Sequence, residues 1–171
     1  EAVWKKVMGI EPYYSVVHKG VRLIFANSNR GELYEKVCTG NEAEAGCSGS
    51  FDDEQIEWLK AELEKPEPAI LFFHHPPKTE GKQYFSIASF LVGLDESFYP
   101  LVKEHKDKIL GMFVGHGHFW AKDTLYGIPV YETGAVGDTG GNKDNMHIVD
   151  VDPNGMTLTT TIGLPGGKYG F

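Results

Sequence analysis

The stretch Ala69-Ile70-Leu71-Phe72-Phe73-His74-His75-Pro76-Pro77 decides how this chain is read. Its five apolar residues run without alternation, the pattern of a strand buried on both faces of a helix-covered parallel sheet. The run then stops abruptly in two histidines and two prolines. A second stretch repeats the design: Ile109-Leu110-Gly111-Met112-Phe113-Val114 is followed by Gly115-His116-Gly117-His118. In open α/β sheets, ligands bind just outside the carboxyl ends of the strands. Two parallel neighbours ending this way bring their histidines to one edge.

Outward from these strands the chain alternates between strand and helix. Residues 13–17 and 21–26 are β-branched and aromatic runs around His18-Lys19-Gly20, which predicts a hairpin. Residues 27–49 read as a long polar surface loop. A helix start is expected at Ser50-Phe51-Asp52-Asp53, with Ser50 as the cap and an acidic first turn suited to the helix dipole. Ile56, Leu59 and Leu63 then recur at helical spacing, and Pro66 and Pro68 end the helix.

A second helix is expected within residues 95–108. Residues 124–132 read as two short strands turned at Tyr126-Gly127-Ile128-Pro129, and residues 146–151 and 156–162 as a final hairpin. Residues 1–9 show no clear period. The fold class implied is α/β, a mixed layered sandwich with the two solid strands paired in parallel.

Composition bounds the function. The 171 residues fit about one domain. Twenty-four acidic against sixteen basic residues give a net charge of −8, which excludes a general electrostatic affinity for nucleic acid. The longest apolar run, residues 69–73, is far short of the ~20 residues of a membrane helix, so no membrane span is expected. No leader or transit segment is read in these residues. The first residue is Glu1 rather than Met, so the expectation is a processed, excised or truncated piece.

Neutral imidazole is the commonest protein ligand of divalent metals. His116 and His118 are two apart and project to the same side of an extended backbone, while Gly115 and Gly117 keep the turn uncrowded. With His74 they are enough to begin a zinc-type site. A lone His-His pair before proline is more often a surface turn, and the weight comes from the two motifs together.

In order and spacing, these features resemble the calcineurin-like metallophosphoesterases. The likeness rests on the strand pair in residues 9–28, the helix carrying Gln55-Ile56-Glu57-Trp58-Leu59, His74-His75-Pro76-Pro77, Gly115-His116-Gly117-His118, and Gly127-Ile128-Pro129-Val130-Tyr131 leading to Thr133-Gly134. The resemblance implies a layered αββα sandwich of two mixed sheets and two divalent metal ions (zinc, manganese or iron) at the carboxyl edge. It implies that His74 and His116 bind the second metal and His118 the first. His75 is then a neighbour in the outer shell that touches substrate. The family uses its metals to activate water for attack on phosphorus and to neutralise phosphate oxygens. The substrate implied is a phosphorylated small molecule or other phosphate mono- or diester.

The sequence departs from the family in one respect. Asp-x-His, Gly-Asp-x-x-Asp and Gly-Asn-His-Asp/Glu motifs, which precede the strand pair in the family, do not occur. Gly40-Asn41-Glu42 lacks the histidine and follows the hairpin. The expectation is therefore that residues 1–171 are the C-terminal portion of one such domain, the N-terminal part being absent, with no general acid or bridging carboxylate of their own and little activity alone. The rivals are a mononuclear zinc hydrolase using three histidines, and a non-catalytic protein retaining the fold.

Phe119 and Trp120 either line a substrate pocket or pack ordinarily. Asp123, Asp138 and Asp144 are loop carboxylates without ligand spacing, His147 is structural or exposed, and His18 and His105 are a turn and a solvated helix residue. Cys38 and Cys47 lie on one loop, and a disulfide between them would suit an exported protein.

Overall fold

The computed structural model describes residues 2–30, 48–81, 91, 94, 96–118, 120–134 and 145–163. Its elements in chain order are α1 (Ala2–Met8), β1 (Tyr14–His18), β2 (Val21–Phe25), α2 (Asp53–Leu63), β3 (Ala69–Phe72), α3 (Phe98–Glu104), β4 (Ile109–Val114), β5 (Ala121–Leu125), β6 (Ile128–Glu132), β7 (Asn145–Asp152) and β8 (Gly155–Gly163). A six-stranded mixed sheet has the order β1-β2-β3-β4-β6-β5, and β7 and β8 pair separately. The two solid apolar runs, β3 and β4, are parallel neighbours as expected, with β2 and β6 parallel on either side. The antiparallel strands β1 and β5 form the edges.

Burial follows the pleat. Ile24, Leu71, Met112 and Val130 lie in register on one face and pack with Leu59 and Leu63 of α2 and Phe98, Leu101 and Val102 of α3. The opposite face carries a stacked row, Tyr14–Phe25–Phe72–Phe113–Tyr131, with successive ring centroids 4.8–5.3 Å apart. Met156 of the β7–β8 hairpin lies over this face. A Cβ on Gly111 would stand 2.2 Å from its terminal methyl, so glycine in β4 makes room for the hairpin. Helices, sheet and hairpin thus form successive layers, a mixed α/β arrangement.

Both hairpins of the large sheet close on two left-handed residues, Lys19-Gly20 (φ 48° and 81°) and Tyr126-Gly127 (φ 54° and 82°). Such turns match the twist of the strands they join. The β3–β4 register has one irregularity: Ala69 faces Ile109 and Ile70 faces Gly111, leaving Leu110 unmatched.

Two expectations are corrected. Residues 2–8 form a helix: Val3, Trp4, Val7 and Met8 do recur at helical spacing, but over only two turns and on an exposed face, so no buried stripe advertises them. The cap of α2 is Asp52, whose Oδ1 accepts from the Gln55 N–H at 2.9 Å. Ser50 cannot cap because its backbone is committed to Ser28 and bridges Asn29. No helix among the described residues is long and apolar enough to cross a membrane. Cys38 and Cys47, Phe119, Asp138 and Asp144, and the His147 side chain lie outside the described residues.

Beneath the helices, Arg22 of β2 is 8% exposed and bonds Glu62 of α2 and Glu67, each at 2.8 Å. Ser15 and Lys65 also donate to Glu62, each at 2.6 Å. Burial works against the Glu62 charge, but these bonds and the Lys65 and Arg22 charges hold its carboxyl below the usual range.

Candidate metal centre

The candidate centre is built at the carboxyl ends of four adjacent parallel strands. Gln55 of α2, 1% exposed, accepts from the Asn27 N–H at 2.7 Å and donates to the Asn27 carbonyl at 3.0 Å. This clasp fixes the chain leaving β2 and places Ser28 beneath the end of β3. There the Ser28 hydroxyl oxygen accepts from the backbone N–H groups of His74 (3.2 Å) and His75 (3.1 Å). From the β4 side, the Gly115 N–H donates to the His74 carbonyl at 2.9 Å.

His74 and His116 meet as the sequence predicts, Nε2 to Nδ1 at 3.1 Å. Ligand nitrogens of His74, His75 and His116 all lie within 4.8 Å of one another. His118 is outside that trio, although its charge is felt by both His74 and His116. Burial first, then neighbouring imidazolium charge, lowers the pKa of His74 and of His116. Both imidazoles are therefore held in the neutral form that binds a cation. The donor set fits a divalent metal.

His75 differs from the other two. It is 2% exposed, and its Nδ1 lies 2.9 Å from Ser28 Oγ. That oxygen already accepts two N–H groups, which uses both of its lone pairs. The hydroxyl hydrogen is left to donate to Nδ1, so the ring proton sits on Nε2. In that tautomer His75 lines the centre as a donor rather than ligating. Its ring rests on Gly49, where a Cβ would stand 2.4 Å from both Cγ and Nδ1. Gly49→Ala is expected to cost about 1–3 kcal/mol and to displace the His75 ring. Denaturation and imidazole nitrogen shifts measure this, and wild-type values for both would refute the seat.

The turn carrying His116 and His118 is backbone-strained. Both residues are left-handed, at φ 81° and 59°. A side chain with no sequence motif of its own, Glu132 at the end of β6, accepts the Gly117 N–H of this turn. Glu132 is 1% exposed, and burial pushes its carboxyl up to about 7 against the pull of the Gly117 bond.

Because that value lies above its unfolded one, Glu132 favours the fold below the unfolded value and loses this contribution as pH rises through 7. Glu132→Gln should therefore gain stability relative to the unaltered chain between pH 5 and pH 8, by roughly 3 kcal/mol. Parallel unfolding curves at the two pH values check it, and a pH-independent difference would refute it. The one signal for Glu132 in the sequence is an acidic residue closing the apolar run Ile128-Pro129-Val130-Tyr131.

Trp120 packs edge-on against Tyr131 at 6.4 Å and partly against the core. Asp123 lies on β5 and accepts from the Thr79 hydroxyl (2.5 Å) and the Gly81 N–H, pinning the loop that leaves Pro77. No known family model matches the chain, and it matches none of the curated proteins.

Proposed function

We propose that this chain supplies the histidine-rich side of a dinuclear metal centre that hydrolyses phosphate mono- or diesters. The observation that carries the reading is the meeting of His74 and His116 across the carboxyl ends of β3 and β4, nitrogen to nitrogen at 3.1 Å, with both imidazoles biased neutral. In this reading His74, His116 and His118 are metal ligands. The bound ions supply Lewis acidity toward the phosphoryl oxygens. The His75 Nε2–H donates to an anionic oxygen in the centre. The carboxylate ligands and the general acid come from outside these residues, which is why the chain alone is expected to bind metal and turn over little. The αββα sandwich and its absent N-terminal part belong to the same proposal.

A second reading, one zinc held by three imidazoles, is favoured by the proximity of the His74, His75 and His116 nitrogens and opposed by the Ser28–His75 bond. Metal content separates them. The chain, and the chain extended by any coding sequence preceding Glu1, are loaded with zinc or manganese and assayed with aryl phosphate mono- and diesters. Two metals and phosphoester turnover in the extended protein are expected. One tightly held zinc in both forms, unchanged by extension and inert to phosphoesters, would overturn the proposal.

A further inference from the structure

We propose that Glu132 is the positioning residue of this centre, its side-chain Oε1 holding the His116-Gly117-His118 turn in the conformation that presents the imidazoles to His74. A carboxyl group 1% exposed is costly to bury unless a hydrogen bond compensates for it. Its Oε1 accepts from the Gly117 N–H, the amide between the two histidines.

The turn needs such a hold. His116 and His118 sit at φ 81° and 59°, a left-handed conformation that residues other than glycine adopt only under strain. Two of them alternate with glycines and persist only where the surroundings over-determine the backbone. The local bond within the turn, Gly117 N–H to the Gly115 carbonyl, is 3.1 Å long. The remaining grips come from the flanking strands. On the β3 side, Gly115 N–H donates to the His74 carbonyl at 2.9 Å. On the β6 side, the Thr133 N–H bonds the Val114 carbonyl at 3.0 Å, and the Glu132 side chain reaches past it to Gly117. The turn is thus clamped between its two neighbours in the sheet, and Glu132 is the half of the clamp that a side chain provides.

The consequence for metal binding rests on the metal-centre reading, whereas the contact with Gly117 does not. The experiment therefore reads both. In the metal-free chain, the Gly117 amide proton is followed by NMR for chemical shift and exchange protection. Zinc alone is then titrated calorimetrically into the same samples. Glu132→Gln, whose side-chain oxygen still accepts, is expected to keep Gly117 protected and to bind zinc much as the unaltered chain does. Glu132→Ala should deprotect Gly117 and weaken zinc binding by about 10–100-fold, the usual loss when a partner of a metal ligand is removed. Should Glu132→Ala not fold, Glu132→Leu removes the acceptor while keeping apolar bulk, and is read in its place.

A folded acceptor-less variant whose Gly117 amide is unchanged would overturn the proposal. So would equal weakening by Gln and Leu, which would show that bulk rather than the hydrogen bond matters. If the unaltered chain binds no zinc, the metal-centre reading fails, and the Gly117 amide still decides whether Glu132 holds the turn.

Discussion

Replacing His116 by alanine is expected to lower zinc affinity by at least about 100-fold, more than the loss of a supporting residue brings. Phosphoester turnover by the extended protein should fall with it. His116 touches His74 at 3.1 Å and sits past the end of a strand whose register it does not set, so its replacement removes an imidazole without disturbing the sheet. His74→Ala should behave alike. Under the dinuclear reading His118→Ala empties the other metal position instead. Calorimetry with zinc and the absorption spectrum of the cobalt-loaded chain measure these losses. Full metal content and undiminished affinity in His116→Ala would refute the assignment. Glycine at the same position isolates the backbone contribution. At φ 81°, His116→Gly should be about 1 kcal/mol more stable than His116→Ala while binding metal equally poorly. Equal stability would mean the left-handed turn does not persist in solution.

The largest expected effect on folding comes from Arg22→Ala. It would strip the guanidinium from Glu62, which is 7% exposed, and leave a buried carboxylate with only Ser15 and Lys65. Breaking such a pair from one side costs about 3–5 kcal/mol. The double replacement Arg22→Met with Glu62→Leu should restore most of that, because no charge is left uncompensated. Chemical denaturation of the three proteins measures it. A loss below 1 kcal/mol in the single variant, or no recovery in the double, would show that the pair does not tie β2 to α2. Because Glu62 is held below its unfolded value, its share of stability is present above that value and is lost as pH falls through the folded one. Acid should therefore loosen the same contact.

The strands and their histidines are legible in the sequence for a simple reason. Unbroken apolar runs such as residues 69–73 have few alternatives to burial, and the residues just past a parallel strand land on a known edge of the sheet. The supports of the centre are not legible. Ser28, Gln55, Gly49 and Glu132 act through contacts between segments far apart in sequence: Ser28 with His74 and His75, Gln55 with Asn27, Gly49 with His75, Glu132 with Gly117. Each is an ordinary residue in its local context. His75 shows the same limit from the other side. As one of two adjacent histidines it reads as a neighbour of the centre, and only the saturation of Ser28 Oγ gives a physical reason for that placement. The α1 helix and the Asp52 cap escape the sequence for a more local reason. Two turns of exposed apolar residues give a weak period, and the pairing of Ser50 with the chain after β2 is invisible before the fold is known.

The unmatched Leu110 gives the centre an unequal tolerance to genetic change. Up to Ala69–Ile109 the two central strands count together, and after Leu110 they count one residue apart. Loss of Leu110 would make the count regular, with Ile109 still opposite Ala69 and Gly111 still opposite Ile70, so His116 would stay beside His74. The same loss on the other strand, of Ile70, would widen the mismatch to two residues or draw His74 back by one, about 3.3 Å along its axis, turning the side chains to the opposite face. A gap aligned within residues 109–111 thus costs the centre little, whereas one within residues 69–73 parts its histidines although neither has been altered.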